Sequence, residues 1–284
     1  MRARSSCVGR LAYNALTMSK TVLTRNNVQV VGRGDDVLVL AHGFGTNQTA
    51  WRNQVRAFED THRIVLFDHV GAQGSDLEAY SPHRYAGLES YALDLIEVLE
   101  AVQARDVFYV GHSMSGMIGL LAGLDRPELF RGMVFISASP RYINAPDYRG
   151  GFERPDIDAL YETIEKHFDA WASGFAQAAV GPSATPEVVK AFSESLIALR
   201  PDIAIGVIRI IFESDFREQL TRLNIPSWVV QPLHDFAVPN HVGEYLAKSL
   251  KGQLHYVPNQ GHLPHMTAPN EVNALIAQAL AAAA

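Results

Sequence analysis

The chain is poor in cysteine, in excess basic charge and in long apolar runs, and each deficit excludes a class of protein. Its only cysteine is Cys7, so neither a disulfide framework nor a metal site with cysteine ligands is expected. The 24 Lys and Arg residues are outnumbered by 30 Asp and Glu, and the net charge of −6 argues against a nucleic-acid partner. No stretch of about 18 consecutive apolar residues occurs, so no membrane-spanning helix is predicted.

What the chain contains in abundance is apolar side chains. Hydrophobic residues make up 48% of the 284 positions and charged residues only 19%. Such a chain can bury a sizeable core, which excludes global disorder and leaves room for one large α/β domain or two small domains. The composition is typical of a soluble cytoplasmic enzyme, but it does not identify the reaction.

The first 17 residues differ from the rest of the chain. They hold three arginines, whereas the first acidic residue is Asp35. An Arg-rich, acid-poor start is typical of an organelle transit peptide, and the alternative is an upstream start codon, with Met18 as the first residue of the folded protein. Because the segment is short and lacks a cleavage-type end, we favour the upstream start and exclude residues 1–17 from the fold.

From residue 22 onward, short apolar segments alternate with helical periodicity. Runs of β-branched and aromatic residues predict strands at 28–31, 37–41, 64–67, 107–110, 133–137, 228–231 and 254–257. Apolar residues at helical spacing predict helices at 88–99, 114–124, 242–250 and 270–283. The alternation predicts an α/β fold with a mostly parallel sheet and helices on both faces. Turn residues at 32–36 predict a hairpin between the first two strands.

Residues 140–220 interrupt this alternation with helical patterns alone. Amphipathic stripes cover 157–175, 188–199 and 203–212. A helical block between two strands predicts a cap at 140–220 over a core formed by 18–139 and 221–284. Its large apolar side chains either line a ligand pocket or only hold the cap together. The pocket candidates are Tyr142, Phe168, Trp171, Phe175, Phe192 and Ile211.

The strongest chemical signal is the segment Gly111-His112-Ser113-Met114-Ser115, where a predicted strand turns sharply into a predicted helix. This is the setting of a nucleophile elbow, whose strained turn points a serine out of the sheet. Small residues two positions before and after the serine let strand and helix approach. Gly111 meets this need, and Ser115 replaces the usual glycine with a residue that is still small. The alternative is an ordinary turn in which Ser113 caps the helix.

A nucleophilic serine needs a base, and the base needs an acid to orient it. His262 follows the last predicted strand and Asp235 follows the strand before it. Both loops open at the same edge of the sheet as Ser113. The chain order Ser113, Asp235, His262 is one of those used by serine hydrolases. His265 is a weaker candidate for the base, and Asp68, which also ends a strand, is a weaker candidate for the acid.

An oxyanion hole is predicted from the loop His42-Gly43-Phe44-Gly45, which follows an apolar strand. Glycines on either side of Phe44 let the backbone turn an N–H group toward a substrate oxygen. The predicted donors are the backbone N–H groups of Phe44 and Met114, and the alternative is a simple loop.

No cofactor and no metal are predicted. The segment Gly71-Ala72-Gln73-Gly74 lacks the spacing of a dinucleotide-binding loop. His262 and His265 have no third ligand nearby in the sequence, so they do not predict a metal site.

These motifs together resemble the α/β-hydrolase superfamily, and more narrowly the RsbQ-type bacterial stress-response hydrolases and the plant strigolactone and karrikin receptors. The closer matches are Gly43-Phe44-Gly45-Thr46-Asn47-Gln48 with Trp51, Ser139-Pro140-Arg141-Tyr142, Gly150-Gly151-Phe152-Glu153 and Gly261-His262-Leu263-Pro264-His265-Met266. The resemblance runs from about residue 18 to the C-terminus. Ser115-Gly116 is closer to the plant receptors and the segment after His262 to the bacterial members, so the ligand stays open.

The resemblance implies a cap of four helices in V-shaped pairs over a deep apolar pocket. It also implies slow hydrolysis of a small ester or enol-ether lactone, sometimes coupled to a protein partner. It supports Ser113, His262 and Asp235 as a triad, with Phe44 and Met114 as oxyanion donors. We therefore predict a cytoplasmic serine hydrolase that cleaves a small apolar ester or lactone through an acyl-enzyme. The alternative is a signalling module that binds a butenolide-like ligand, hydrolyses it slowly and relays to a protein partner.

Overall fold

The fold is built on a single sheet. The computed structural model describes residues 21–182 and 184–283, so the segment 1–17 lies outside the described residues. Within the described ranges, seven strands form the sheet in the order β1-β3-β2-β4-β5-β6-β7. They are β1 (Gln29–Val31), β2 (Val37–Ala41), β3 (Arg63–Leu66), β4 (Val107–His112), β5 (Phe130–Ile136), β6 (Ser227–His234) and β7 (Gln253–Gln260).

All neighbouring strands are parallel except β1 and β3. Every residue of β2 and β4 is buried, as expected for parallel strands covered on both sides. Alternate residues face opposite sides of the sheet. Val39 and Tyr109 belong to the core on one face, and Leu38 and Phe108 to the core on the other. The predicted α/β class with a mostly parallel sheet is confirmed.

The predicted hairpin at 32–36 is wrong. Strand β1 pairs with β3, which lies between β1 and β2. The Arg63 N–H donates to the Asp36 carbonyl oxygen (2.9 Å). A Cβ on Gly32, whose φ is +86°, would lie 2.1 Å from the His62 carbonyl oxygen. Gly32 therefore allows the chain to pass close to the backbone that leads into β3, and it does not form a hairpin turn.

Helices cover both faces of the sheet. Besides a helical stretch at 21–25, they are α1 (Arg52–Phe58), α2 (Leu88–Ala101), α3 (Met114–Asp125), α4 (Arg154–Lys166), α5 (Phe168–Val180), α6 (Pro186–Ile197), α7 (Pro201–Glu213), α8 (Arg217–Leu220), α9 (Asn240–Leu250), α10 (Pro264–Thr267) and α11 (Pro269–Ala282). Helices α2, α3 and α9 pack on one face, and α1 and α11 on the other. The four helices predicted outside 140–220 correspond to α2, α3, α9 and α11.

Helices α4 to α7, here called the four-helix insertion, lie between β5 and β6. Helix α4 packs on α7, and α5 packs on α6. The stripe predicted as one helix over 157–175 spans two helices, because the backbone leaves helical geometry at His167 (φ −143°, ψ 49°). Ile157 on α4 and Trp171 on α5 still share one apolar cluster. The periodicity therefore continues across the break and hides it.

No helix within residues 21–182 and 184–283 is long and apolar enough to cross a bilayer.

Candidate active site

Ser113 lies in the turn between β4 and α3, in a strained backbone conformation. Its φ of +55° with ψ −122° is unfavourable for a residue that carries a side chain. The Ser113 N–H donates to the Ile136 carbonyl oxygen on β5 (2.8 Å), which holds the turn against the sheet. A Cβ on Gly111 would lie 2.5 Å from the Ser115 carbonyl oxygen, so the crossing of strand and helix requires glycine there.

His262 and Asp235 approach Ser113 from two neighbouring strand ends. Asp235 directly follows β6, and His262 follows β7 by two residues. The His262 Nε2 lies 2.9 Å from the Ser113 Oγ, and its Nδ1 lies 2.9 Å from the Asp235 Oδ2. Because a carboxylate faces Nδ1, the neutral imidazole carries its proton on that nitrogen. Nε2 is then free to accept a hydrogen bond from the serine hydroxyl.

The Asp235 carboxylate is itself held by the backbone. Its side chain is fully buried, and its Oδ1 accepts hydrogen bonds from the N–H groups of Ala237 (2.9 Å) and Val238 (3.1 Å). The loop after β6 therefore fixes the direction in which the carboxylate faces His262.

The two weaker sequence candidates lie elsewhere. His265 is fully buried and stacks between Trp51 and His112, with ring centroids 4.4 and 4.5 Å apart. Burial lowers the pKa of His265 to about 3, so its ring stays neutral near neutral pH and is poorly suited to take up a proton as a base. The Asp68 carboxylate accepts hydrogen bonds from the Gln48 backbone N–H (2.8 Å) and side-chain amide (3.0 Å). It anchors that loop rather than His262.

His112, the residue before the serine, holds the backbone of His262. Its Nε2 donates to the His262 carbonyl oxygen (2.8 Å). Burial, helped by neighbouring imidazoles, lowers the pKa of His112 well below its usual range. The ring is therefore neutral, and its single proton lies on Nε2, where the bond to His262 requires it.

The predicted oxyanion donors flank the serine. Met114 opens α3, so its N–H belongs to the unpaired first turn of a helix, where the helix dipole favours negative charge. The loop carrying Phe44 passes against the turn, since a Cβ on Gly43 would lie 3.0 Å from the Ser113 Cβ. Within the described ranges, neither the Phe44 nor the Met114 N–H has a hydrogen-bond acceptor.

A cavity of about 150 Å³ opens above Ser113 and His262. Five of the six predicted pocket residues line it: Tyr142, Trp171, Phe175, Phe192 and Ile211. Phe168 is not among the lining residues; its ring packs on Trp171, with centroids 5.7 Å apart. The lining contains no Asp, Glu, Lys or Arg among the described residues.

Sequence reasoning missed several lining residues. They are His112, Phe152, Leu160, Ile208, Phe212, Phe236, Ala237 and Leu263. Phe236 carried a usable signal, because it directly follows Asp235 and so had to lie at the same edge as the serine. It is 42% exposed and packs edge-on against Phe175, with centroids 5.6 Å apart. Phe236 therefore forms part of the rim of the cavity.

No group of three or more His, Cys, Asp or Glu side chains is placed to hold a metal ion within the described ranges.

The sequence and the fold are similar to those of known proteins. A model of the alpha/beta hydrolase family matches residues 38–275. The chain belongs to the alpha/beta hydrolase family. It is 42% identical to "Karrikin insensitive 2 receptor CA" of Petunia hybrida over 87% of this chain and 92% of that protein. It is 40% identical to "Strigolactone esterase D14" of Arabidopsis thaliana over 91% and 97% of the two chains.

Among solved structures, a hydrolase from Oleispira antarctica matches this α/β-hydrolase with a TM-score of 0.88. The two share 33% identity over 92% of this chain and 96% of the other. The resemblance to strigolactone and karrikin receptor-like hydrolases, predicted from the motifs, is confirmed by these comparisons.

Proposed function

We propose that the protein is a serine hydrolase that cleaves a small, neutral, apolar ester or lactone. The observation that carries this proposal is the hydrogen-bonded line from the Ser113 Oγ through His262 to Asp235, at the floor of an aromatic cavity. A line of this kind serves to activate a serine, because the imidazole takes the hydroxyl proton and the carboxylate stabilises the imidazolium that forms.

In the proposed reaction, the Ser113 Oγ attacks the substrate carbonyl carbon while its proton moves to the His262 Nε2. The carbonyl electron pair becomes an oxyanion between the N–H groups of Phe44 and Met114. When the oxyanion collapses, His262 returns the proton to the leaving alcohol, and an acyl-enzyme remains on Ser113. Water, deprotonated by His262, then attacks the acyl group, and the same steps release the acid and restore the serine.

The cavity supports the substrate class. A volume of about 150 Å³ is that of a cavity known to take benzene, so a compact acyl group or lactone ring fits inside it. A charged substrate would lose its hydration with no counter-charge in the lining to replace it. The esterase name carried by a relative with 40% identity agrees with this class.

We further propose that the four-helix insertion is a cap, residues 140–220, that supplies the apolar wall over the core formed by 18–139 and 221–284. Helices α4 to α7 contribute most of the lining residues that are not part of the serine, histidine and oxyanion loops. Cytoplasmic localisation stays a prediction, which fractionation of cells expressing the full chain would check.

The proposal is tested by turnover and covalent capture together. Wild type is expected to hydrolyse p-nitrophenyl acetate, and Ser113→Ala to lose activity by about 10⁴-fold or more. After exposure to a panel of neutral esters and butenolide lactones, intact-protein mass spectrometry should find an acyl adduct that Ser113→Ala lacks. Unchanged turnover in Ser113→Ala would refute the proposal.

A second candidate function is a ligand sensor that hydrolyses slowly and relays to a protein partner. The observation in its favour is 42% identity to a protein named as a receptor. A sensor is expected to show few turnovers and a ligand-dependent rise in melting temperature. Fast multiple turnover without such a rise would favour the enzyme alone.

A further inference from the structure

We propose that Ser115 is a positioning residue that holds the two oxyanion donors at their working separation. The inference rests on the proposed serine-hydrolase function. It assigns a role to the position at which this chain departs from the glycine of G-x-S-x-G elbows.

Ser115 links the two backbone segments that carry the donors. It is the second residue of α3, directly after Met114, and it is fully buried. Its Oγ lies 2.5 Å from the carbonyl oxygen of His42, two residues before Phe44. The hydroxyl therefore ties the helix that bears one donor to the loop that bears the other.

The protons of this contact have one consistent arrangement. A carbonyl oxygen only accepts, so the Ser115 hydroxyl donates to His42. The Ser115 Oγ also lies 2.7 Å from the His69 Nε2, which must then be the donor in that pair. Burial lowers the pKa of His69 well below its usual range, so the ring is neutral with its single proton on Nε2. Its Nδ1 has no partner among the described residues.

The same histidine fixes the loop at a second point. The His69 backbone N–H donates to the His42 Nε2 (3.0 Å), which leaves the His42 proton on Nδ1. That Nδ1–H donates to the Gly43 carbonyl oxygen (2.8 Å). The two carbonyls that immediately precede Phe44 are thus both held, one by Ser115 and one by His42.

A merely space-filling role does not account for the hydroxyl. The tight packing at position 115 involves its backbone: the Tyr109 hydroxyl donates to the Ser115 carbonyl oxygen (2.7 Å). Glycine would preserve these backbone contacts. Of the two side chains that the described residues place on the His42 carbonyl, glycine would leave the His69 Nε2, 3.1 Å away. The serine adds one short bond aimed at the loop that carries Phe44.

The expected kinetic signature follows from when the donors act. Oxyanion donors bind the transition state far better than the ground-state carbonyl, so displacing one lowers kcat and leaves KM unchanged. Full loss of such a donor costs about 10²–10³-fold in kcat, and a displaced donor is expected to cost about tenfold.

The test compares Ser115→Ala with Ser137→Ala, a matched control. Ser137 is fully buried at the end of the neighbouring strand β5, and its Oγ has no hydrogen-bond partner among the described residues. Ser115→Ala should lower kcat for p-nitrophenyl acetate about tenfold with KM within about twofold, while Ser137→Ala changes neither. An aryl trifluoromethyl ketone, which forms an oxyanion adduct with Ser113, should bind about tenfold more weakly to Ser115→Ala, and the matching methyl ketone equally well.

Two further variants keep the test decisive. Ser115→Cys, whose thiol is a weak donor, should give an intermediate kcat. If Ser115→Ala does not fold, Ser115→Gly takes its place, because it removes the hydroxyl and is the usual residue at this position of G-x-S-x-G elbows. A loss no larger than that of Ser137→Ala, or a change confined to KM, would overturn this inference alone. Absence of any serine adduct in wild type would instead overturn the proposed function and this inference with it.

Discussion

The strand-end edge that carries Ser113, His262 and Asp235 differs from the four-helix insertion in how its side chains are held. At the edge, each of these three side chains has a hydrogen-bond partner, and two backbone N–H groups also hold Asp235. In the insertion, the side chains that line the cavity are held by apolar contacts, as in the ring contact of Trp171 with Phe175 (5.3 Å), while ion pairs such as that of Arg154 with Glu213 lie on its exposed side. In the proposed function, hydrogen-bond geometry at the edge sets the chemistry, and the shape of the apolar lining in the insertion sets the choice of ligand.

The largest effect that tests this difference between the edge and the insertion is expected from a substitution of Asp235. Asp235→Asn keeps the shape of the side chain, and its amide oxygen can still accept from Ala237 and Val238. Its amide nitrogen would then donate a hydrogen bond to the His262 Nδ1, so the imidazole proton would lie on Nε2. Nε2 could then no longer accept the hydrogen bond from the Ser113 hydroxyl. We expect kcat to fall about 10³–10⁴-fold with little change in melting temperature, measured by steady-state kinetics and thermal denaturation.

Asp68→Asn serves as the comparison for that variant. Asp68 accepts three hydrogen bonds from Gln48 and Asn27, so its loss should appear mainly in the melting temperature. A fall in kcat as large as that of Asp235→Asn would show that the two carboxylates share the role.

The second effect concerns charge in the cavity. A pair of p-nitrophenyl esters of equal length, one ending in a methyl group and one in a carboxylate, should differ about 100-fold or more in kcat/KM in favour of the methyl ester. The carboxylate would lose water without gaining a partner from the lining. Equal kcat/KM values would mean that the substrate does not enter the apolar cavity.

The third effect is a pH dependence of stability. Burial lowers the pKa of His265 to about 3, with the neighbouring His262 and His42 adding to the shift. The unfolded chain therefore binds more protons than the folded one below about pH 6.5, and stability falls as the pH falls. Between pH 7 and pH 5 this one residue should cost about 2 kcal/mol.

Urea titrations at pH 7 and pH 5 measure that loss. His265→Phe, which keeps a ring between Trp51 and His112, should flatten the dependence. Part of the remaining slope belongs to four other histidines whose pKa values burial also lowers: His42, His62, His69 and His112. A variant as pH-sensitive as wild type would remove His265 from this account.

The smallest effect is expected in the insertion. Trp171→Ala removes lining surface, so KM for an aromatic ester should rise about tenfold while kcat changes little. Phe168→Ala is the matched control, since Phe168 lies on the same helix and packs on Trp171 outside the cavity. Similar KM values in the two variants would contradict the assignment of Trp171 to the wall.

The contrast also explains what the sequence could predict. Ser113, His262 and Asp235 each follow a strand that was recognisable locally, and parallel strands bring their ends to one edge. The hairpin at 32–36 was wrong because strand order is set by pairing across the sheet, which turn residues do not encode. The break at His167 was missed because apolar spacing continues through it. Phe152 and Phe236 line the cavity through loop geometry, for which no periodic pattern exists.

The positive φ of Ser113 lowers the stability of the folded state. A residue with a side chain at this φ raises the free energy of the folded state, and glycine at the same position would not. Ser113→Gly would therefore be expected to stabilise the fold while removing the side chain that the proposed reaction needs. The free energy that offsets this strain must come from other parts of the fold. The two apolar cores on either side of the sheet are its main source.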